Sequence, residues 1–229
     1  MTTLKAARVS SKGRPYYPPR RIELICNEAL REVGLMPDTP MPVRIERFVE
    51  KKFGLCVEYI DLPAGILGYT TFTSEGPTKM VVAKALVENS TQVSQRRTNT
   101  TLAHESGHCL LHAHLFTITN EPSSLFPEGD AGDPRLGKIL CRDHTVGCDG
   151  KWWEFQANAC IGSLLLPQHL VEQAIRQFLQ PQGLLGIEVL PENLWGKAES
   201  ALSEIFDVNP IAARFRLQQL LPLPGQQTL

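Results

Sequence analysis

A chain of 229 residues with 42% apolar and 21% charged residues has the composition of an ordinary globular protein, which excludes a fibrous or wholly disordered one. Its formal net charge of −1 supplies no global field toward nucleic acid or an anionic membrane, so neither is expected as a strong direct partner. No run approaches the ~20 apolar residues of a membrane-spanning helix and no signal-peptide core opens the chain, so the expected location is the cytoplasm, with its six cysteines reduced.

In chain order, every charged residue before Glu23 is basic (Lys5, Arg8, Lys12, Arg14, Arg20, Arg21), and Gly13, Pro15, Pro18 and Pro19 lie among them. Residues 1–18 therefore read as a flexible basic arm. Ile22, Ile25, Cys26, Ala29, Leu30 and Val33 recur at helical spacing and stop at Gly34, which predicts a first helix over residues 22–33. A proline-rich run through Pro42 separates it from a second amphipathic helix on Val43, Ile45, Phe48 and Val49, closed by Gly54. The period then changes. Residues 55–60, 66–73 and 79–83 are rich in β-branched and aromatic side chains, with a turn at Ser74, Glu75, Gly76 and Pro77, and predict a small antiparallel sheet. Residues 66–73 are expected at its edge, free to hold an extended peptide by main-chain hydrogen bonds.

A long helix is expected over residues 91–115, with Ala103, Gly107 and Leu110 on one flank and Leu102 and Cys109 on another, hence central. Residues 116–150, rich in Gly, Pro and Asp, read as a long loop with a functional use. A strong helix follows over residues 151–166 and is stopped by Pro167. Beyond Gly186, short helices over residues 198–206 and 210–221 resemble half of a helix-turn-helix. With Arg214 and Arg216 as their only positive residues, they read as a packing or partner-binding element rather than a DNA reader. Residues 222–229 read as a frayed tail.

The central helix carries His104-Glu105-Ser106-Gly107-His108. Histidines four residues apart stand one turn apart on one face, so two neutral imidazoles can bind a single Zn²⁺. Glu105 is rotated about 100° from His104 on a helix of ~3.6 residues per turn, placed to take a proton from an activated water without ligating. Such a site needs a third ligand. His112 lies about 6 Å further along the axis than His108 and reads as a neighbour of the metal site rather than a ligand. His114 holds the third position of the longer H-E-x-x-H-x-x-G-x-x-H pattern, but Leu111 stands where that pattern has Gly, so His114 remains the alternative. Glu154 opens a separate helix whose Ala157, Ile161 and Leu165 can pack on the first, and its carboxylate completes a set of two His and one Glu. Asn158, one turn on, is expected to orient Glu154.

Arg97-Thr98, Thr101-Leu102-Ala103-His104-Glu105-Ser106-Gly107-His108 and Leu110-Leu111-His112, together with Glu154-Phe155-Gln156-Ala157-Asn158 and Leu164-Leu165-Leu166-Pro167, resemble the ImmA/IrrE family of metallo-endopeptidases. The segments at Pro42-Val43, Gly65-Ile66-Leu67-Gly68-Tyr69 and Ile139-Leu140-Cys141-Arg142 are also similar, so the likeness spans roughly residues 20 to 170. It implies an α+β, zincin-like peptidase, carried in bacteria, phages or mobile elements, that cleaves helix-turn-helix repressors. By residue it implies His104, His108 and Glu154 as zinc ligands and Glu105 as the base. The expected organisation is the arm (1–18), a zincin-like peptidase domain (19–185) and a C-terminal helical segment (186–229).

Two weaker features remain. Cys141, His144 and Cys148 form a C-x-x-H-x-x-x-C cluster matching no established zinc motif, and Cys141 is a candidate fourth ligand in a latent state. The expected function is a zinc endopeptidase acting on a protein, a helix-turn-helix repressor. The alternative is a non-catalytic regulatory protein with a structural zinc that contacts a repressor or DNA.

Overall fold

The computed structural model describes residues 8–9, 15–114, 137–142, 152–182 and 187–221. They form an α+β fold in which a four-stranded sheet packs against helices, and none of their helices is long and apolar enough to cross a membrane. Most of the arm, most of residues 116–150 (with His144 and Cys148) and the tail 222–229 lie outside the described residues. A short pair, β1 (Arg8–Val9) and β2 (Pro15–Tyr16), comes first.

Helix α1 (Pro19–Glu32) starts three residues before its apolar pattern, because proline at the first helical position has its φ preset and no N–H to satisfy. It buries Ile22, Ile25, Cys26, Ala29 and Leu30. Helix α2 (Ile45–Phe53) buries Ile45, Phe48 and Val49 and ends at Gly54, whose φ of 70° suits glycine.

The sheet contains β3 (Val57–Ile60), β4 (Ile66–Thr73), β5 (Gly76–Ala83) and β6 (Gly137–Arg142), in the order β3-β5-β4-β6. Two expectations are corrected here. The sheet is mixed, since β3 runs parallel to β5 while β4 is antiparallel to both β5 and β6. Nor is β4 an edge, because β6, from the segment read as loop, pairs along its outer side. Alternation along a strand tells which face each side chain takes, but the neighbour is set by long-range pairing that leaves no local trace. The inward face of β4 presents Gly68, Thr70 and Phe72, all buried.

After α3 (Ala85–Glu88), helix α4 (Gln92–Leu111) opens with the Thr91 hydroxyl accepting the Ser94 N–H at 3.1 Å. Every residue from Thr101 to Cys109 is buried, as the two-flanked pattern requires. Helix α5 (Trp152–Leu165) packs across α4. Pro167 ends it, then leads into α6 (Gln168–Ile175), a helix the sequence reading did not anticipate. A ribbon of β7 (Gln180–Gln182) and β8 (Ile187–Val189) precedes α7 (Trp195–Phe206) and α8 (Pro210–Leu220).

Two arginines fasten these last helices to the rest. Arg96 of α4 donates to Asp207 Oδ1 at 2.8 Å, Ser203 Oγ at 3.1 Å and Glu204 Oε1 at 3.2 Å. Arg216 of α8, 5% exposed, donates to Glu23 Oε2 at 2.5 Å and to the Leu166 carbonyl at 2.9 Å. Leu202, Phe206, Ala213 and Leu217 join the same apolar cluster as α1 and α4.

The α4–α5 approach depends on Gly107. A Cβ there would meet Cys160 Cβ at 2.8 Å and the Cα and carbonyl oxygen of Ala157 at 3.1 Å each. Alanine recovers about 1 kcal/mol of helix propensity, but these contacts involve backbone and a Cβ that cannot swing aside. Gly107→Ala is therefore expected to be destabilising, at the roughly 1–3 kcal/mol typical of an overpacked core. Urea denaturation checks this, and a variant as stable as the parent would contradict the packing argument.

Candidate metal centre

His104 and His108 lie 1% and 0% exposed on α4, and their Nε2 atoms face one another at 3.0 Å. Glu154 comes from the first turn of α5, held there by the crossing at Gly107. Its Oε2 lies 3.1 Å from His104 Nε2 and its Oε1 3.5 Å from His108 Nε2. Among the described residues these three form a group able to hold a metal ion, with ligand atoms within 4.8 Å of one another. His114 is not in that group; it stands half-buried past the end of α4, near Leu111.

The other ring nitrogens reveal which way each imidazole faces. His104 Nδ1 lies 2.9 Å from Asn158 Oδ1, and a carbonyl oxygen only accepts, so the ring proton sits on Nδ1 and the Nε2 lone pair points to the centre. Asn158 thus orients His104, not Glu154 as expected, because one turn along α5 carries its amide past the carboxylate to the ring. His108 Nδ1 lies 3.0 Å from His112 Nδ1, and His112 Nε2 lies 3.2 Å from Gln156 Oε1. His112 accordingly sits beside the centre rather than in it. Gln156 was not singled out from sequence; its signal is a buried amide on a helix whose other buried side chains are Ala, Cys, Ser and Leu.

Two inward lone pairs beside a carboxylate repel one another unless a cation lies between them. A four-coordinate zinc with bonds of about 2.0–2.1 Å separates its ligand atoms by about 3.3 Å, close to the spacings found here, so the donor set fits that ion. Burial favours the neutral imidazoles: it lowers His108 to about 4 and lowers the neighbouring His112 as well.

Glu105 stands next to this group without belonging to it. It is fully buried, and its Oε2 accepts the Thr70 hydroxyl at 2.6 Å. Oε1 has no hydrogen-bond partner among the described residues. Burial pushes the carboxyl up to about 7, against the opposing effects of His104 and the Thr70 hydroxyl. Thr70 was also missed, though its signal is plain: a polar residue between Gly68 and Phe72 on an inward strand face. Gly68 matters too, because a Cβ there would meet the Val81 carbonyl at 2.7 Å and Thr101 Cγ2 at 2.9 Å. Opposite Gly68 stands the backbone of Cys141 on β6; its side chain lies outside the described residues.

Thr70→Val removes the hydroxyl and leaves a buried carboxylate oxygen without a partner. The expected loss is about 1–3 kcal/mol of stability, read by denaturant titration. Unaltered stability would mean that the hydroxyl does not hold Glu105. The geometry stands alone as evidence for this site: the chain matches no model of a protein family, and no curated protein matches it.

Proposed function

We propose that this chain is a zinc-dependent endopeptidase with a zincin-like core, hydrolysing a peptide bond in a protein substrate. The observation that carries the reading is the convergence of His104, His108 and Glu154 from two helices, at 3.0–3.5 Å, with the histidines' other nitrogens engaged by hydrogen-bond partners. These three side chains would hold the ion, leaving one place of a four-coordinate set open to substrate chemistry. When bound, zinc supplies Lewis acidity, polarising a carbonyl and acidifying water.

Glu105 does the proton work. Burial raises this carboxyl above the ordinary range, which makes it a stronger proton acceptor than an exposed Glu. Thr70 holds Oε2, so Oε1 is the atom placed to receive a proton. The substrate class, a helix-turn-helix repressor, rests on the resemblance to the ImmA/IrrE family.

The competing reading is a non-catalytic zinc protein that contacts a repressor or DNA. Its DNA form is disfavoured by the C-terminal helices, where Arg216 is buried against Glu23 and Arg214 is paired with Glu199 at 3.0 Å. Little charge is left for phosphates.

Metal content and proteolysis of the helix-turn-helix protein encoded beside this gene decide between the readings. Wild type should carry one zinc per chain and cleave. Glu154→Ala should lose the zinc, while Glu105→Gln should keep it and cleave about 10²–10⁴-fold more slowly, the usual contribution of a general base. Equal cleavage by wild type and Glu105→Gln would overturn the mechanism.

A further inference from the structure

Helix α5 supplies one ligand, Glu154, and two further polar side chains that reach the histidines of α4. Asn158 acts directly on His104. Gln156 reaches His108 only through His112, in a chain of three buried side chains: His108 and His112 are 0% exposed and Gln156 3%. We propose that Gln156, acting through His112, selects the tautomer of His108 and is thereby a positioning residue for the metal. The proposal rests on the metal-centre reading above and adds a residue to it.

The argument follows the proton along the chain. A neutral imidazole carries one N–H and one lone pair. Gln156 Oε1, 3.2 Å from His112 Nε2, can only accept, so His112 carries its proton on Nε2. Its Nδ1 is then bare and accepts from His108 Nδ1, 3.0 Å away. The single proton of neutral His108 is thus committed to Nδ1. Its Nε2, facing His104 and Glu154, is left with the lone pair that ligation needs.

Turning the Gln156 amide over reverses every link. The amide NH₂ would donate to His112 Nε2, His112 would donate from Nδ1, and His108 would carry its proton on Nε2, aimed at the metal position. One amide orientation therefore decides whether His108 is a ligand. Trp152 stands edge-on to His112, with ring centroids 5.5 Å apart at 84°, and limits tilting of the relaying ring. The same helical approach that delivers Glu154 delivers both tautomer-setting amides. Outer hydrogen-bond partners of metal-binding histidines commonly carry 10–100-fold in affinity.

Long-range ¹H–¹⁵N spectra of the full chain labelled at histidine read the tautomers directly in metal-free protein, and a zinc titration reads the consequence. In wild type His108 should carry its proton on Nδ1 and His112 on Nε2. Gln156→Leu should redistribute the His108 proton toward Nε2 and weaken zinc binding about 10–100-fold. Gln156→Glu keeps an acceptor oxygen and should restore both tautomers and affinity. A wild-type His108 protonated on Nε2, or unchanged tautomers in Gln156→Leu, would overturn the proposal. If Gln156→Leu does not fold, the wild-type and Gln156→Glu spectra still decide. Wild type that shows these tautomers yet binds no zinc would sink the metal reading while upholding the hydrogen-bond chain.

Discussion

The crossing of α4 over α5 governs everything near the site. It is close because Gly107 has no side chain, so Ala157 and Cys160 lie directly against the backbone of α4. At that separation the first turns of α5 bring a carboxylate, an amide and a second amide opposite three histidines. A larger residue at the contact would move all three together. The positions of the candidate metal-binding atoms and of the amides beside them are therefore one packing problem, solved where two small surfaces meet.

The sheet has a parallel part in positioning Glu105. Gly68 lets β4 approach α4 closely, and Thr70, two residues on and thus on the same face, reaches the carboxylate. One face of α4 is consequently organised by α5 and an adjacent one by β4. Burying two histidines, a third beside them and two carboxylates is costly unless each polar atom has a partner or a cation. Most have partners. Glu105 Oε1 lacks one among the described residues, and His104, His108 and Glu154 gather their inward atoms in one group able to hold a metal ion.

The C-terminal helices illustrate how position changes the meaning of a charge. From sequence, Arg216 is one of two cations on a helix-turn-helix-like pair. In the fold it is a buried strut between α8, Glu23 of α1 and the carbonyl of Leu166 at the end of α5. Such a pair adds little over well-packed apolar residues, yet losing one partner is expensive. It ties the far end of α5 to the body of the protein, just as Gly107 seats its middle.

Helices α1, α2, α4 and α5, the β4–β5 hairpin and the placing of His104 and His108 on one face of α4 were legible because they are written locally. Helical spacing sets which residues share a face, glycines and prolines mark ends, and the five residues of H-E-x-x-H lie within one helical turn and a half. Glu154 was legible only as a carboxylate on a second buried helix; that it meets both rings is a property of how α5 lies on α4. The parallel placement of β3, the covering of β4 by β6, the transfer of Asn158 from Glu154 to His104, and the relay through His112 to Gln156 had no local signature. Each depends on contacts between residues far apart in the chain, and pairing partners, crossing distance and hydrogen-bond direction come into being only when those segments pack.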